Sequence, residues 1–253
     1  MKFFISCLVV LASVFFAATN SFAIGLEAAV GGWNQSIDGQ LAYQSAFLPG
    51  NNSLDFENEA GFGDESHPFV RIKADLPILP NVYFMGTPME FEGNGSKDFT
   101  FGGTSITGEL YSKAKLDHYD LAIYYGVPFT GLATLGTLGI DLGINVRQMN
   151  IDMVVKDKSD FVEDSVNETI YIPMGFLAIQ VEPTDSLAIE AELRGIAINN
   201  SHYYDMIGRL KLRFAKLAFA AVGWRHEDLE IDEKDIEATV KISGPFLEAG
   251  LQF

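Results

Sequence analysis

The stretch LGTLGIDLGINVR, from Leu135 to Arg147, alternates strictly over most of its length. Every second position is taken by an aliphatic residue, namely Leu138, Ile140, Leu142, Ile144 and Val146. Successive side chains of a β-strand point to opposite faces, so the stretch predicts one aliphatic face and one polar face. A soluble sheet would bury the aliphatic face in a core. A membrane barrel would turn that face towards lipid and enclose the polar one.

The N-terminus has the parts of a secretory signal peptide. Lys2 precedes an apolar run from Phe3 to Ala17, and Ser21 and Ala23 supply the small residues of a cleavage site. The run is too short to span a membrane as a helix. We therefore expect residues 1–23 to be removed and residues 24–253 to form one exported domain. The single cysteine, Cys7, lies in the leader, so the exported domain has no disulfide.

Composition narrows the class of protein further. The chain carries 34 acidic and 17 basic residues, a net charge of −17, which gives no basic patch for nucleic acid. No other stretch is apolar for the roughly 20 residues that a spanning helix needs. A soluble periplasmic domain and an outer-membrane barrel remain, and the length suits one domain of either kind.

Alternation of the same kind recurs along the chain. Ten runs show it, beginning near Leu26, Val70, Tyr83, Tyr119, Leu138, Thr169, Leu187, Met206, Ala218 and Leu247. An even number suits a closed up-and-down antiparallel barrel, so the all-β, ten-stranded transmembrane barrel is the predicted fold. Eight strands are the alternative if the first run or the Tyr83 run is misassigned.

Two details of the runs lead to specific expectations. In the Tyr83 run, the apolar face is assigned to Tyr83, Met85, Met89 and Phe91. The apolar parity changes between Val146 and Met149, which predicts a β-bulge.

The connections between runs alternate in length. Residues 77–80, 182–186 and 215–216 are short connections, and residues 46–66, 92–115 and 156–168 are long ones. Short periplasmic turns and long extracellular loops are typical of outer-membrane barrels. Residues 128–137 are the exception, because this longer connection falls on the short side.

Charge favours an enclosed polar face. The polar positions of the runs carry eight acidic residues, Glu90 among them, and eight basic ones, whereas the surplus acid lies in connections such as Glu227 to Glu237. Buried charges must be paired, and a wet outer face needs no such balance. We interpret the following residues as a charge network in the lumen: Glu27, Arg71, Lys73, Asp75, His118, Asp120, Asp141, Arg147, Glu190, Glu192, Arg194, Arg209, Lys211, Arg213, Arg225 and Glu248.

The order of these charges along the chain predicts a pairing. Arg209, Lys211 and Arg213 form a basic stripe that follows the acidic stripe of Glu190 and Glu192. Adjacent antiparallel strands bring such stripes together, so we expect Arg209 or Lys211 to pair with Glu190 or Glu192.

Aromatic residues also favour the barrel over a soluble β-sandwich. One end of the strands carries Tyr125, Phe129, Phe214 and Phe253, and the other carries Phe91 and Trp224. Girdles of this kind mark the two membrane interfaces of a barrel.

Several segments resemble a family of small proteobacterial outer-membrane barrels of unassigned function. They are GLEAAVGGWNQS, PMEFEG, LDHYDLAIYY and SGPFLEAGLQF. The resemblance implies the fold and a Gram-negative outer-membrane location, and it implies no activity. The terminal Phe253, with apolar residues at alternate positions before it, is similar to the signal that the barrel assembly machinery reads. The implied partners are therefore that machinery, outer-membrane lipid and lipopolysaccharide.

Three functions stay open at this point. The favoured one is a non-enzymatic structural or surface-interaction barrel with acidic extracellular loops. The second is a narrow porin-like channel for small solutes. The third is an outer-membrane hydrolase, because His118 and Asp120 share the lumen face at a spacing that could orient an imidazole.

The acidic segment from Glu227 to Glu237 is a candidate calcium-binding loop. It lacks the Gly at position six and the Glu at position twelve of an EF-hand loop, so we expect no cofactor and no defined metal site. Weak, nonspecific binding of divalent cations to acidic loops is the remaining expectation.

The first testable prediction concerns processing. We expect the mature protein to begin at Ile24, because Ser21 and Ala23 fit the peptidase. N-terminal sequencing of the protein from membrane fractions checks this, and retention of Met1 would contradict the signal-peptide assignment.

Overall fold

The computed structural model describes residues 25–43, 53–77, 79–101, 104–128, 130, 134, 136–157, 163–214, 216–233 and 236–253. The signal peptide and Phe129 lie outside them. Strands account for nearly all of these residues. They are β1 (Gly25–Tyr43), β2 (Ser53–Asp55), β3 (Glu65–Asp75), β4 (Asn81–Thr87), β5 (Glu90–Ser96), β6 (Phe99–Phe101), β7 (Thr104–Ile106), β8 (Glu109–Gly126), β9 (Leu138–Asp157), β10 (Glu163–Thr184), β11 (Leu187–Ile198), β12 (Ser201–Arg213), β13 (Ala218–Glu233) and β14 (Ile236–Gln252).

The long strands form one closed antiparallel barrel. Its order is β1-β3-β4-β8-β9-β10-β11-β12-β13-β14, and β14 pairs with β1 to close it. The predicted ten-stranded barrel is therefore confirmed. β5 continues the place of β4 beside β8. Cross-strand partners followed once around the barrel from Leu26 return to β1 at Asp38, twelve residues further on, so the strands are strongly tilted.

We call the end of the barrel where the chain terminates the lower part. A belt of outward-facing aliphatic side chains surrounds this part. Val30, Ile144 and Leu247 are each about two-thirds exposed, at 64%, 65% and 65%. So many exposed aliphatic groups in one continuous belt are the pattern of a barrel in lipid. Within the described residues, no helix is long and apolar enough to cross a membrane.

The aromatic girdles are partly as predicted. Tyr125, Phe214 and Phe253 are exposed at the end of the belt where the chain terminates, and Trp224 is exposed at the other. Phe91 was assigned to the second girdle, and this is wrong, because its side chain is fully buried inside the barrel.

The parity change on β9 is not a bulge. β9 pairs with β8 and with β10 without a register shift from Leu138 onwards. Leu142 and Ile144 face outwards in the belt, and the outward positions above them carry polar residues such as Gln148, Asn150 and Asp152. The same face thus leaves lipid and enters water. The predicted bulge was wrong because the solvent changes while the strand stays regular.

At the same level along the barrel, the interior changes from polar to apolar. Below it, the enclosed positions are polar, and above it they form an apolar core that we call the upper core. Its members include Ile37, Leu54, Phe56, Phe62, Phe91, Leu110, Ala114 and Val155. Strands such as β13 and β14 therefore continue beyond the membrane, where the barrel has water outside and an apolar interior.

The assignment of the Tyr83 run was inverted. Tyr83, Met85, Met89 and Phe91 are all buried inside the barrel. Val82 and Phe84 take the outward positions of β4, since they alternate with Tyr83 and Met85. Glu90 lies on the outer surface, where Lys113 binds it at 2.6 Å. Amphipathic Tyr and Met side chains fit either environment, so their alternation did not reveal which face was enclosed.

Residues 53–62 complete the barrel wall above the membrane. β2 pairs with the upper part of β1, and Phe62 forms a bridge with Gly93 of β5. Gly61 has a positive φ of 74°, and a Cβ there would lie 2.3 Å from the carbonyl oxygen of Asn94. Only glycine allows the two backbones to approach so closely.

The change of solvent along β9 gives the second prediction. Leu142→Arg places a charge in the lipid-facing belt, and we expect it to lower the free energy of unfolding by roughly 2–4 kcal/mol. Val154→Arg on the same face lies above the membrane, so its expected cost is below about 0.5 kcal/mol. Urea titration of the barrel in lipid vesicles measures both, and equal costs would contradict the assigned boundary.

Candidate functional site in the lumen

Charged side chains from eight strands meet inside the lower part of the barrel. We divide them into two clusters of three carboxylates and three cations each, all nearly or completely buried. The lower cluster is Glu27, Arg71, Glu190, Arg209, Lys211 and Glu248. The upper cluster is Asp120, Arg147, Arg194, Asp205, Arg225 and Glu227. Strand alternation aims each of these side chains inwards.

The lower cluster joins strands that are far apart in the sequence. Arg71 contacts Glu27 at 2.5 Å and Glu248 at 2.8 Å. Lys211 donates to Glu27 and lies 3.2 Å from Glu190. The Arg71–Glu248 and Lys211–Glu27 contacts cross the seam between β1 and β14, so they hold the barrel closed from inside.

The pairing predicted from the two charge stripes is present. Arg209 donates to Glu190 at 3.0 Å and to Glu192 at 2.6 Å. Glu192 also accepts from Arg194 at 2.9 Å. Since Arg194 belongs to the upper cluster, Glu192 connects the two clusters into one network.

Asp205 is the centre of the upper cluster. Arg225 binds it through two nitrogens at 3.0 and 2.8 Å, Arg194 lies 3.3 Å away, and Arg147 also donates to it. Arg147 in addition makes a bidentate contact with Asp120 at 2.9 and 2.8 Å. A planar guanidinium suits such forked contacts, and a buried carboxylate needs them to offset its desolvation.

Aromatic faces hold the arginines in place. The guanidinium of Arg194 lies 4.7 Å from the ring centre of Tyr83, and that of Arg225 lies 4.7 Å from Trp33. Tyr203 lies against Arg147 at 4.9 Å and donates its hydroxyl to Glu227 at 2.6 Å. Cation–π contacts of this kind strengthen when they are desolvated.

His118 and Asp120 do not form a catalytic dyad. The Nε2 atom of His118 is 3.9 Å from Asp120, too long for a hydrogen bond, and Asp120 is engaged by Arg147. Arg225 donates to Nε2 at 3.0 Å, so Nε2 is the acceptor and the ring proton lies on Nδ1, which faces the Leu116 carbonyl at 3.3 Å. Both side chains are fully buried, so no substrate reaches them.

The other predicted network residues lie near the opposite end of the lumen from the upper core. Asp75 accepts from the Tyr124 hydroxyl at 3.0 Å, and Arg213 donates to Glu182 at 2.5 Å. Lys73 and Asp141 are only half-buried. These four residues border the two clusters and belong to neither.

Phe253 lies at the seam of the barrel. Its backbone exchanges two hydrogen bonds with Leu26 of β1, at 2.8 and 3.2 Å, while its ring is exposed in the girdle. The last residue therefore pairs the end of the chain with the first strand.

Sequence reasoning missed several members of the network. Glu227 was assigned to an acidic loop, and this is wrong, because it is buried beside Arg225 at 2.7 Å. Asp205 was left out because the run was started at Met206. Both residues have the inward parity of their strands, so extending each alternation by one or two residues would have found them.

The two clusters lie across the bore. Among the described residues, Trp33, Met85 and Arg209 border an enclosed cavity of about 10 Å³, enough for about one water molecule. Within the described part of the chain, no group of three or more His, Cys, Asp or Glu residues is arranged to hold a metal ion.

Comparison with known proteins finds no matching family model and no matching curated protein. Solved structures do match. The chain is similar to the outer membrane protease OmpT from Escherichia coli, with 12% identity over 93% of this chain and 99% of that chain and a TM-score of 0.50. It is also similar to the translocator domain of autotransporter NalP from Neisseria meningitidis, with 11% identity, 98% and 95% coverage and a TM-score of 0.47. The match to OmpT shows the fold alone: the chain has the fold of outer-membrane β-barrels.

The third prediction tests the buried pairs. Lys211 contacts Glu190, so Glu190→Gln leaves the lower cluster with three cations and two carboxylates and should cost about 3–5 kcal/mol, as should Lys211→Met, which leaves the opposite imbalance. We expect the double variant to cost less than the sum by about 0.5–3 kcal/mol. Unfolding titrations of the four proteins give the coupling.

An exposed pair is the control for this cycle. Glu92 and Lys113 lie 2.9 Å apart on the outer surface, where solvent screens them. Glu92→Gln with Lys113→Met should show no measurable coupling. Equal coupling in the two cycles would mean that the lumen is wet.

Proposed function

We propose that this protein is a sealed outer-membrane barrel with no conducting path, which serves a structural and surface-interaction role. One observation carries the proposal: two charge-balanced clusters occupy the bore from wall to wall. An open channel would need their long side chains to move out of the lumen, and each broken pair would leave a charge stranded in a confined space.

The bacterial outer membrane is the location that the fold supports. The lipid-facing belt, the girdle residues Trp224 and Tyr125 and the seam at Phe253 all fit it. Export through a cleaved leader, insertion by the barrel assembly machinery, and contact with lipopolysaccharide belong to the same proposal.

The narrow-channel and hydrolase alternatives are less well supported. The upper core lies directly above the polar clusters, so a solute would have to cross an apolar barrier as well as a charged one. His118 is enclosed and already bound at both nitrogens, which argues against its acting in hydrolysis.

The water-exposed extension of the barrel is the surface available to partners. Its outer face is acidic on β13, where Asp228, Glu230 and Asp232 alternate outwards. On β5 an acid is paired instead, because the hydrogen bond from Lys113 lowers the pKa of Glu92. An acidic face of this kind attracts cationic partners and, weakly, divalent ions.

Conductance in planar lipid bilayers tests the sealed lumen, which is the fourth prediction. We expect the wild-type protein to insert and to give no ion-conducting steps. Removing one ion pair of opposite charges from the network in the lumen, by Arg209→Ser with Glu192→Ser, should give measurable ion-conducting steps. The matched rim pair, Arg213→Ser with Glu182→Ser, should stay closed. Stable single-channel steps from the wild type would overturn the proposal in favour of the channel.

A further inference from the structure

The lipid-facing belt has a groove on its outer surface, across β10 to β13. Two small residues, Ala191 and Gly208, are cross-strand partners at its floor. Ile179 pairs with Ala191 on one side, and Trp224 pairs with Gly208 on the other, so larger side chains flank the floor. A Cβ built on Gly208 meets no atom within 4 Å, so the space above it is open. We call this concavity the Gly208 groove.

The Gly208 groove has the size of a small-ligand pocket. Its volume is about 420 Å³, within the roughly 300–1,000 Å³ of such pockets. Leu193 and Met206 border it on the side of the upper membrane boundary, and along β13 its lining continues from Trp224 to His226. Because the groove lies in the belt, the group that fills it comes from the membrane and is apolar, which describes an acyl chain.

A column of polar side chains on β13 continues the groove upwards. Its members are successive outward positions of the strand, namely Trp224, His226, Asp228 and Glu230. The indole and the imidazole carry N–H donors, and the two carboxylates above them are acceptors. An anionic group therefore meets donors at the edge of the belt, and a cationic group meets carboxylates directly above it.

The two carboxylates of the column are accessible to a ligand. The side chains of Asp228 and Glu230 are 26% and 49% exposed. His202 of β12 lies 3.7 Å from an oxygen of each, which is longer than a hydrogen bond. Lys241 of β14 is the cross-strand partner of Asp228 and of Asp38, so these two acids outnumber it. The surface above the groove is therefore net negative.

We propose that the Gly208 groove and the column above it bind one phospholipid whose headgroup carries a primary amine, a phosphatidylethanolamine. An acyl chain lies over Gly208. The phosphate accepts hydrogen bonds from Trp224 and His226. The ammonium group donates to Asp228 and Glu230, and such charge-assisted bonds need the N–H donors that a choline headgroup lacks. The inference rests on the proposed membrane location and is independent of the sealed lumen.

A second groove in the belt provides a matched control. It is bordered by Gly32 of β1, where a built Cβ again meets no atom within 4 Å. The polar side chains at its upper edge are uncharged, since Ser66 donates its hydroxyl to Asn34 at 2.9 Å. The described residues that line it include no carboxylate. This groove has room for an acyl chain and lacks the charges that select an amine headgroup.

Tryptophan fluorescence tests the site in the intact barrel. The chain has two tryptophans: Trp33 is buried in the lumen, and Trp224 is 55% exposed beside the groove. The barrel is reconstituted in phosphatidylcholine vesicles that contain a phospholipid with brominated acyl chains, which quench a tryptophan on contact. As the fifth prediction, we expect brominated phosphatidylethanolamine to bind roughly fivefold more tightly than brominated phosphatidylcholine, because partly exposed ion pairs contribute about that much.

Two variants and two controls locate the site. Asp228→Asn with Glu230→Gln should remove the preference, and so should Gly208→Leu, which fills the groove. The controls are Asp152→Asn on the outer face of β9 and Gly32→Leu in the second groove. Both should keep the preference. The carboxylate variant is isosteric, so it tests the site even if Gly208→Leu does not insert.

The outcomes separate this inference from the proposed function. Equal quenching by the two lipids, loss of the preference in either control, or its retention in Asp228→Asn with Glu230→Gln would each overturn the inference. A preference for brominated phosphatidylglycerol that needs Mg²⁺ and is lost with a chelator would overturn it too, and would assign the carboxylates to a bridging cation. Ion-conducting steps in the bilayer experiment would overturn the sealed lumen and leave the lipid site unaffected.

Discussion

The constraint on which this structure depends is the change of solvent along strands that do not themselves change. The longest strands, such as β9, have lipid outside and the lumen inside at one end, and water outside and an apolar core inside at the other. Because side chains alternate, the same backbone must present opposite chemistry on its two faces before and after the boundary. On β9 the outward series passes from Ile144 to Gln148 while the inward series passes from Arg147 to Met149. The position of the membrane is thus encoded in the side chains alone.

The lumen follows from the same constraint. With lipid outside, polar groups have nowhere to go but inwards, and charges enclosed there must neutralise one another. Asp205 shows how this is done, since it receives three arginines that in turn bind Asp120, Glu192 and Glu227. Partners such as Arg71 and Glu248 are 177 residues apart in the chain. The network therefore forms only when the barrel has closed, and it stabilises the closed state.

The sequence alone was sufficient to predict which face of a strand is enclosed wherever the alternation was long and chemically unambiguous. Leu138 to Val146 predicted a lipid-facing strand, and the stripes on β11 and β12 predicted the pairing of Arg209 with Glu190 and Glu192. Alternation fails where side chains suit both environments. Tyr83 reads as apolar and serves as the platform for Arg194. Alternation also fails at the membrane boundary. There Glu227 looks like part of an acidic loop, because inward-facing and outward-facing acids of β13 follow one another in the sequence. Which face is enclosed there depends on the height of neighbouring strands, which only the fold supplies.

The heights of the strands above the membrane also determine which surfaces are exposed to water. With the lumen sealed, as we propose, interactions use the part of the barrel that stands in water. If all hairpins ended at one level, that part would be a closed cylinder with every backbone group paired. The β11–β12 hairpin ends early, and the neighbouring strand β10 continues. The result is a strand edge next to apolar side chains, a combination that folded proteins normally cover. The unequal length of neighbouring hairpins thus leaves part of β10 paired with a described strand on one edge only.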